Sequence, residues 1–574
     1  MTVVDAARTR TFTYNAQVAL QKESISGIYT KELNRVYTTS GLKGSYSGLN
    51  IGTVNLYTYG YDRYSRLNKV TTAAGVFNYT FLADSDLIAS MTRPNNVSTN
   101  YTYETARDLL TKVANGAIST FRPANGALGR RTGMNRSGSA FTAADVLSYT
   151  YNSYSELTGA SSNNNASYGY NYTYDPIGNR KTAGLAGTNW TYTANNLNQY
   201  SALNQAGTVQ NPTYDIDGNM LTRDGWTQTW NAENRLIKAE KGTAKLEFAY
   251  DYMGRRIEKK VYNGSTLTAH IRFVYDGYKL IEELNGLSNN AVLRCYVWQP
   301  VMLDTPLTVF DATANKTYFY HTDANKNVTD LTDSAGAIVA HYEYSPFGQL
   351  VKSSGAYANT NVFTWSSEYS GKETGLIYYN FREYDPKLGR WLSRDPIHEQ
   401  GDLNLYAYIS NKTINHIDKL GLQNFGEGFL PTTIDLLPQI AEQETGGEGN
   451  SENTSCSAQE ASLNRFVYYF ILIARGCVQI INMEKGPEPP APKSPYEYNI
   501  IVNPDPPSGS SGPDPDPTPK PTDPNPPKEP PISPGTIDIF IIPIPYWWFQ
   551  MQIDNIKEQE RRNNPCHGNP PYTI

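Results

Sequence analysis

The chain has 574 residues, with 49 Lys and Arg against 55 Asp and Glu, a net charge of −6. No Lys/Arg block stands out, so the repeat region carries no electrostatic footprint for nucleic acid. Four cysteines without a CxxC pair exclude a disulfide scaffold, and six scattered histidines at no metal spacing leave neither a metal nor a cofactor to expect. Tyrosine is the outlier, at 44 residues beside 44 glycines, while charged residues make up only 18%. That is a β composition with frequent turns. Length alone suggests roughly three or four domains, a count that one continuous sheet would reduce.

The first residues, MTVVDAARTRTFTYNAQ, contain no apolar run and no small-residue cleavage site, so they are not a secretory signal peptide. FTYNAQVAL already has the shape of a unit that recurs to about residue 345. The unit reads YGYDRYSRL at Tyr61, YTYETARDL at Tyr103, YTYNSYSEL at Tyr151 and YTYDPIGNR at Tyr174. It continues as PTYDIDGNM at Tyr214, QTWNAENRL at Trp230 and FAYDYMGRR at Tyr250. Most copies follow one another at about twenty residues, which is the mark of a repeat architecture. The wider interval between Tyr103 and Tyr151 is expected to hide a degraded copy. Within each unit Tyr or Phe alternates with Thr or Ser, the period of a half-buried strand. Steps such as Gly178-Asn179 and Asp217-Gly218 supply the positive φ of tight turns. Each unit is therefore a hairpin, and hairpins must stack edge to edge to bury an apolar face. The Tyr-Asp pairs are read as structural, with tyrosines stacking and aspartates capping turns; His321 and His341 are read as strand-face residues.

From Tyr318 the wording becomes YFYHTDANKNVTDLTDSAGAIVAHYEYSPFGQL, closing at Pro346-Phe347-Gly348. A polar loop, SSGAYANTN, leads to FTWSSEYSG and then to GLIYYNFREYDPKLGRWLSRDPIHEQGDLNLYAYISNKTINHIDKLGL, residues 375–422. The repeats resemble RHS and teneurin-like YD shells, and the last stretch closely resembles the RHS repeat-associated core of bacterial RHS/YD-repeat proteins. The resemblance covers about residues 10–422 and implies an all-β fold. Antiparallel hairpin repeats (1–345) would curl into a spiral β-shell closed by the core (346–422). Because the repeat wording starts so near the first residue, the chain is expected to be a fragment or a short descendant of a longer protein.

The resemblance also implies that the core is an intramolecular aspartyl protease, which cuts after the terminal Leu of a D-P-x-G-L word. Carried over to this chain, Asp395 and Asp418 are the carboxylate pair, Arg394 stands beside them, and the cut falls between Leu422 and Gln423. Two carboxylates in one site cannot both ionise easily, so one activates water while the protonated one polarises the carbonyl. An arginine can orient such a carboxylate through paired hydrogen bonds. Three positions depart from the family wording: Lys419 stands where Pro is usual, His398 where Gly is frequent, and Gly401-Asp402 where Gly-Gly is found. Lys419 is expected to lower the pKa of Asp418. Enzymatic action on this reading is confined to one self-directed cut.

Beyond Leu422 the resemblance ends, where the family places a variable payload. Residues 423–486 are mostly irregular, with one short helix: Ser457 and Glu460 form a capping box, an apolar run fills 466–474, and Gly476 stops it. Cys456 and Cys477 flank that helix at opposite ends, too far apart to bond. Residues 487–534 are a proline-rich spacer. Residues 535–574 hold an apolar stretch broken by Pro543 and Pro545, too short to span a membrane as a helix. A buried strand pair, an interfacial anchor and a partner-binding motif all remain open there. Cys566-His567 is read as incidental, and no toxin chemistry is legible in the tail. The leading expectation is a shell that encapsulates or presents its own C-terminal segment as an effector of polymorphic-toxin type. By resemblance it would be secreted or surface-exposed, with an immunity protein or a secretion component as partner. The alternative is a secreted or surface adhesion scaffold with no cleavage.

Overall fold

In the computed structural model, the two residues of each Tyr-Asp word do separate jobs. The Asp or Asn caps its own turn: Asp175 Oδ1 accepts the amides of Ile177 (3.1 Å) and Asn179 (2.8 Å). Asn195, Asn231 and Asp251 accept the amides two and four residues on in the same way. Short Asx side chains favour turns because they satisfy these amides locally. The aromatic residue reaches sideways. Tyr61 and Tyr151 donate their hydroxyls at 2.6 Å to carbonyls of the preceding strand, and Tyr174 and Tyr250 do so at 2.7 Å. A register shift falls immediately before each of these tyrosines. A bulge bends its strand and increases local twist, so bulges repeated at one position accumulate into curvature. The interval between Tyr103 and Tyr151 holds the expected extra copy: Ser119–Asn125 and Arg131–Ser137 pair with a shift between Ala124 and Asn125.

The structure describes residues 1–426 apart from 6, 17–18, 38–45, 84, 301–304 and 423. Twenty strands between residues 2 and 210 form one sheet, and thirteen between 222 and 354 form a second. Both are meanders in which sequential strands pair antiparallel, as at Gly169–Tyr174 with Arg180–Leu185 and Ala244–Tyr250 with Arg256–Asn263. The second meander runs past residue 345, ending on Leu350–Ser354. Among the described residues the helical segments are three short 3-10 turns. The fold is all-β, as expected.

The second meander lies against the first with partner numbers rising together. Arg8 Nη2 meets Asp251 Oδ2 at 2.7 Å, Tyr29 donates to the Phe273 carbonyl at 2.7 Å, Arg93 to that of Tyr320 at 3.1 Å, and Arg136 meets Glu343 at 2.8 Å. The strip therefore winds as successive turns of a spiral, the β-shell arrangement. His341 lies on a strand, as read, and pairs with Asp330 at 2.7 Å beside that Glu343 contact.

Residues 355–422 pack against this wall. Their own sheet is Tyr369–Gly371, Leu376–Tyr379, Arg382–Asp385 and Arg390–Trp391. Tyr379, Tyr384, Trp391 and Tyr408 are buried together, with Tyr384 stacked on Tyr408 at 3.9 Å and Trp391 edge-on to Tyr379 at 5.1 Å. Offset and edge-on aromatic pairs add specificity beyond their buried area. Wall turns hold the far side: Asn411 donates to the Gly178 carbonyl and Tyr406 to that of Gly218, each at 2.8 Å. The helix expected between Ser457 and Gly476, Cys456 and Cys477, the proline-rich spacer and residues 535–574 lie outside the described residues.

Candidate functional site

The core sheet ends in a buried pair of carboxylates. Asp395 follows the last strand of that sheet, and its Oδ1 accepts the Ile397 amide at 3.0 Å. Asp418 closes the strand His416–Asp418, which pairs with Asn424–Gly426. The expected scissile bond after Leu422 thus lies in the connection of a short hairpin; Gln423 itself lies outside the described residues. Asp418 shapes this connection. Its Oδ1 accepts the amides of Leu420 (3.1 Å), Gly421 (2.7 Å) and Leu422 (3.1 Å).

One guanidinium faces both carboxylates, and it belongs to Arg382. Its Nη1 lies 2.9 Å from Asp395 Oδ2 and its Nη2 3.7 Å from Asp418 Oδ2, while Nε donates to the Gly421 carbonyl. The guanidinium is stacked over Trp391, 4.1 Å from the ring centroid. Arg394, expected beside the pair, is elsewhere: a Cβ placed on Gly218 would stand 2.6 Å from Arg394 Nε, so the side chain lies over a wall turn. The last strand of the core sheet ends at Trp391 and the chain bends at 392–393, which leaves Arg394 on the wall side while Asp395 faces Arg382.

Burial decides the charge states. It raises Asp395 to about 6 against the pull of Arg382, with Asp418 adding to the rise. Burial also raises Asp418, outweighing Arg382 and the three amides that favour its ionised form. The expected lowering by Lys419 is not what prevails, because desolvation of a buried carboxylate is the larger effect. The same burial lowers Arg382, against the two aspartates. Two buried carboxylates with raised affinity for protons, both facing one guanidinium, favour one proton and one charge on the pair above the ordinary carboxylate range.

Gly401 completes the site. A Cβ there would stand 2.5 Å from Asp395 Oδ2 and 3.2 Å from the Leu422 carbonyl oxygen. The bare glycine is what lets the carboxylate and the carbonyl share one small space. The Gly401-Asp402 departure therefore keeps the glycine the site needs, while Asp402 accepts the Ser410 hydroxyl at 2.6 Å. His398 has φ +54°, a conformation that glycine adopts at least cost, which accounts for glycine at that place in the family wording. Gly401→Ala is expected to slow any cut at Leu422 by about tenfold or more, since small misplacement of reacting groups is costly. The cut fraction of freshly made protein checks this.

Arg382 and Gly401 are the site residues that sequence reasoning did not select. Both sit in the quoted core wording, yet nothing local separates Arg382 from Arg390 or Arg394.

The family model described as teneurin YD-shell matches residues 127–414, half of the chain. The chain belongs to the teneurin YD-shell family. The matched part of this YD-shell chain includes Arg382, Asp395 and Gly401 and ends before Asp418. Among curated relatives, the tRNA nuclease WapA of Bacillus subtilis (strain 168) is 32% identical over 264 residues, which are 44% of this chain and 11% of WapA. Double-stranded DNA deaminase toxin A of Burkholderia cenocepacia (strain H111) is 30% identical over 262 residues, 41% of this chain and 18% of the toxin. Toxin subunit YenC1 of Yersinia entomophaga is 31% identical over 301 residues, 45% of this chain and 30% of the subunit. The YD-shell chain thus matches less than a third of each relative's length. Among solved structures, the TcdB2–TccC3–Cdc42 complex aligns with a TM-score of 0.51 at 18% identity, over 73% of this chain and 22% of that one. At that identity the likeness is one of fold.

Proposed function

We propose that this protein is a toxin-type YD shell that carries its own C-terminal segment, residues 423–574, as an effector and frees it by one self-directed cut after Leu422. The observation that carries the reading is the Asp395–Arg382–Asp418 cluster set against the Leu422 carbonyl at Gly401. The pair titrates as a unit. Its ionised oxygen takes a proton from water, which adds to the Leu422 carbonyl carbon while the protonated partner donates to the carbonyl oxygen. The bond to the Gln423 nitrogen then breaks, and that nitrogen leaves as an amine with the proton. The new carboxylate at Leu422 stays beside Asp395 and Asp418, so the site is blocked by its own product and the cut happens once.

Support for the toxin role comes from relatives named as a tRNA nuclease, a DNA deaminase toxin and a toxin subunit. Toxin relatives are consistent with a secreted or surface-exposed protein, and the proposal includes an immunity protein or secretion component as its partner. The test is intact mass of the full chain and of Asp395→Asn and Asp418→Asn. The parent should appear as two species divided after Leu422, and each variant as one of 64.0 kDa. A parent that stays whole would leave the YD sheet as a non-cleaving surface scaffold.

A further inference from the structure

We propose that Arg256 and Arg223 of the wall are positioning residues for the junction: they hold the strand Arg382–Asp385 so that Arg382 meets the carboxylate pair only once the wall behind it is built. This rests on the self-cleaving reading above and deepens it. The strand has two faces. Arg382 and Tyr384 face the core aromatics, Arg382 lying over Trp391 and Tyr384 stacked on Tyr408. Glu383 and Asp385 alternate to the other side and meet the wall. Arg256 Nη2 pairs with Glu383, and Arg223 Nε with Asp385. Glu383 and Asp385 are 4% and 1% exposed, so both pairs are shut away from solvent.

The two arginines meet the core at further points. The Arg256 amide donates to Tyr378 Oη at 2.7 Å, and its guanidinium lies 4.1 Å from the Phe248 ring and 4.0 Å from that of Tyr378. Arg223 Nη1 also donates to the Thr374 carbonyl at 3.2 Å. The residue on the other side of Arg382 is held as well: the Phe381 ring lies 5.5 Å from that of Tyr278 and against the Gly254 turn. Both neighbours of Arg382 therefore take their places from the second meander, which precedes the core in the chain. Apolar packing alone would tolerate sliding by part of a residue. A buried, charge-assisted pair has a direction and a register, and so passes the wall's position to the opposite face of the strand.

The experiment uses full-length chain made by cell-free synthesis, with the cut fraction followed over time from pH 5 to 8. The variants are Arg256→Met, Arg256→Lys and the double Arg256→Met with Glu383→Met, beside Asp395→Asn. The ionisable groups that bear on the pair are Arg382, Tyr408 and, through Arg382, Asp402; Lys419 adjoins Asp418 in the chain, and His398 stands three residues beyond Asp395. Arg256→Met is expected to slow the cut about tenfold or more. It should also move the pH midpoint up by about one unit, because a displaced Arg382 no longer offsets burial at Asp395. The double variant leaves no lone buried charge and should regain the parent's unfolding midpoint, yet still cut slowly with the shifted profile. Arg256→Lys should recover part of the rate. A double variant that folds and cuts with the parent's rate and profile overturns the proposal, and so does a fall in rate that is equal at every pH. If Asp395→Asn cuts like the parent, the junction reading itself has failed and takes this one with it.

Discussion

Arg382→Gln should leave the chain whole at pH 7, with the cut slowed by on the order of a hundredfold or more, the scale for losing a preorganised charge from a water-excluded site. The variant keeps a planar side chain over Trp391 but removes the guanidinium that faces both aspartates. Burial then acts on Asp395 and Asp418 without opposition, and their affinity for protons rises further. Asp395 stands at about 6 in the parent. The parent's cut should therefore switch on as pH rises through about 6, and the variant's at a higher pH, so that alkaline buffer restores part of the rate. Stability has the opposite sign. A carboxylate raised above its ordinary value stabilises the fold below that ordinary value and loses the contribution as pH rises through about 6. Arg382→Lys should not rescue, because a point charge cannot reach two carboxylates and the Gly421 carbonyl together. Arg394→Gln should cut like the parent, since that side chain lies over the Gly218 turn. Intact mass against pH for the four proteins checks the cut, and the urea midpoint of uncut Asp418→Asn and parent against pH checks the stability.

Those contrasts also mark what the sequence could convey. The hairpins were legible because their causes are local: Asp175 caps amides two and four residues on, and the hidden copy after Tyr103 repeats the same bulge at Asn125. The pairing of Asp395 with Asp418 came from wording shared with a family. Which arginine serves them did not, because adjacency in the chain does not say which way the fold turns a side chain, and Arg394 is turned to the Gly218 turn while Arg382, thirteen residues before Asp395, faces the pair. Lys419 misled for a related reason. Its adjacency to Asp418 is visible in the sequence, whereas the burial that dominates Asp418 is a property of the assembled core. Contacts between turns of the spiral were the least legible, since nothing near Arg8 announces Asp251.

That last pair yields the sharpest test of the spiral. Asp251→Asn should lower the urea midpoint strongly, by the equivalent of about 3–5 kcal/mol, the usual cost of stripping one partner from a buried ion pair. Asp251 is a turn cap like its counterparts, accepting the amides of Met253 and Arg255 at 3.0 Å. It is also a charge hub. Its Oδ2 lies 2.7 Å from Arg8 Nη2, 2.6 Å from Arg255 Nη2 and 3.9 Å from Arg10 Nη1, with its side chain fully shielded. Burial works against its charge, but Arg255, Arg8 and Arg10 outweigh it and hold the carboxyl below the ordinary range. Its stabilisation is thus present above that range and lost as pH falls through it. Asparagine preserves the cap, as Asn195 and Asn231 do in sister turns, so Asp333→Asn, in a turn where Oδ1 accepts the amides of Ala335 and Ala337 at 2.9 Å, should be nearly neutral. The difference between two identical substitutions isolates the charge hub from the turn. Because Arg8 and Arg10 sit on the strand Arg8–Tyr14, the loss at Asp251 should also appear as early protease cleavage among the first strands, before the second meander opens. Equal midpoints for the two variants would mean that the winding of the second meander onto the first does not depend on this buried charge.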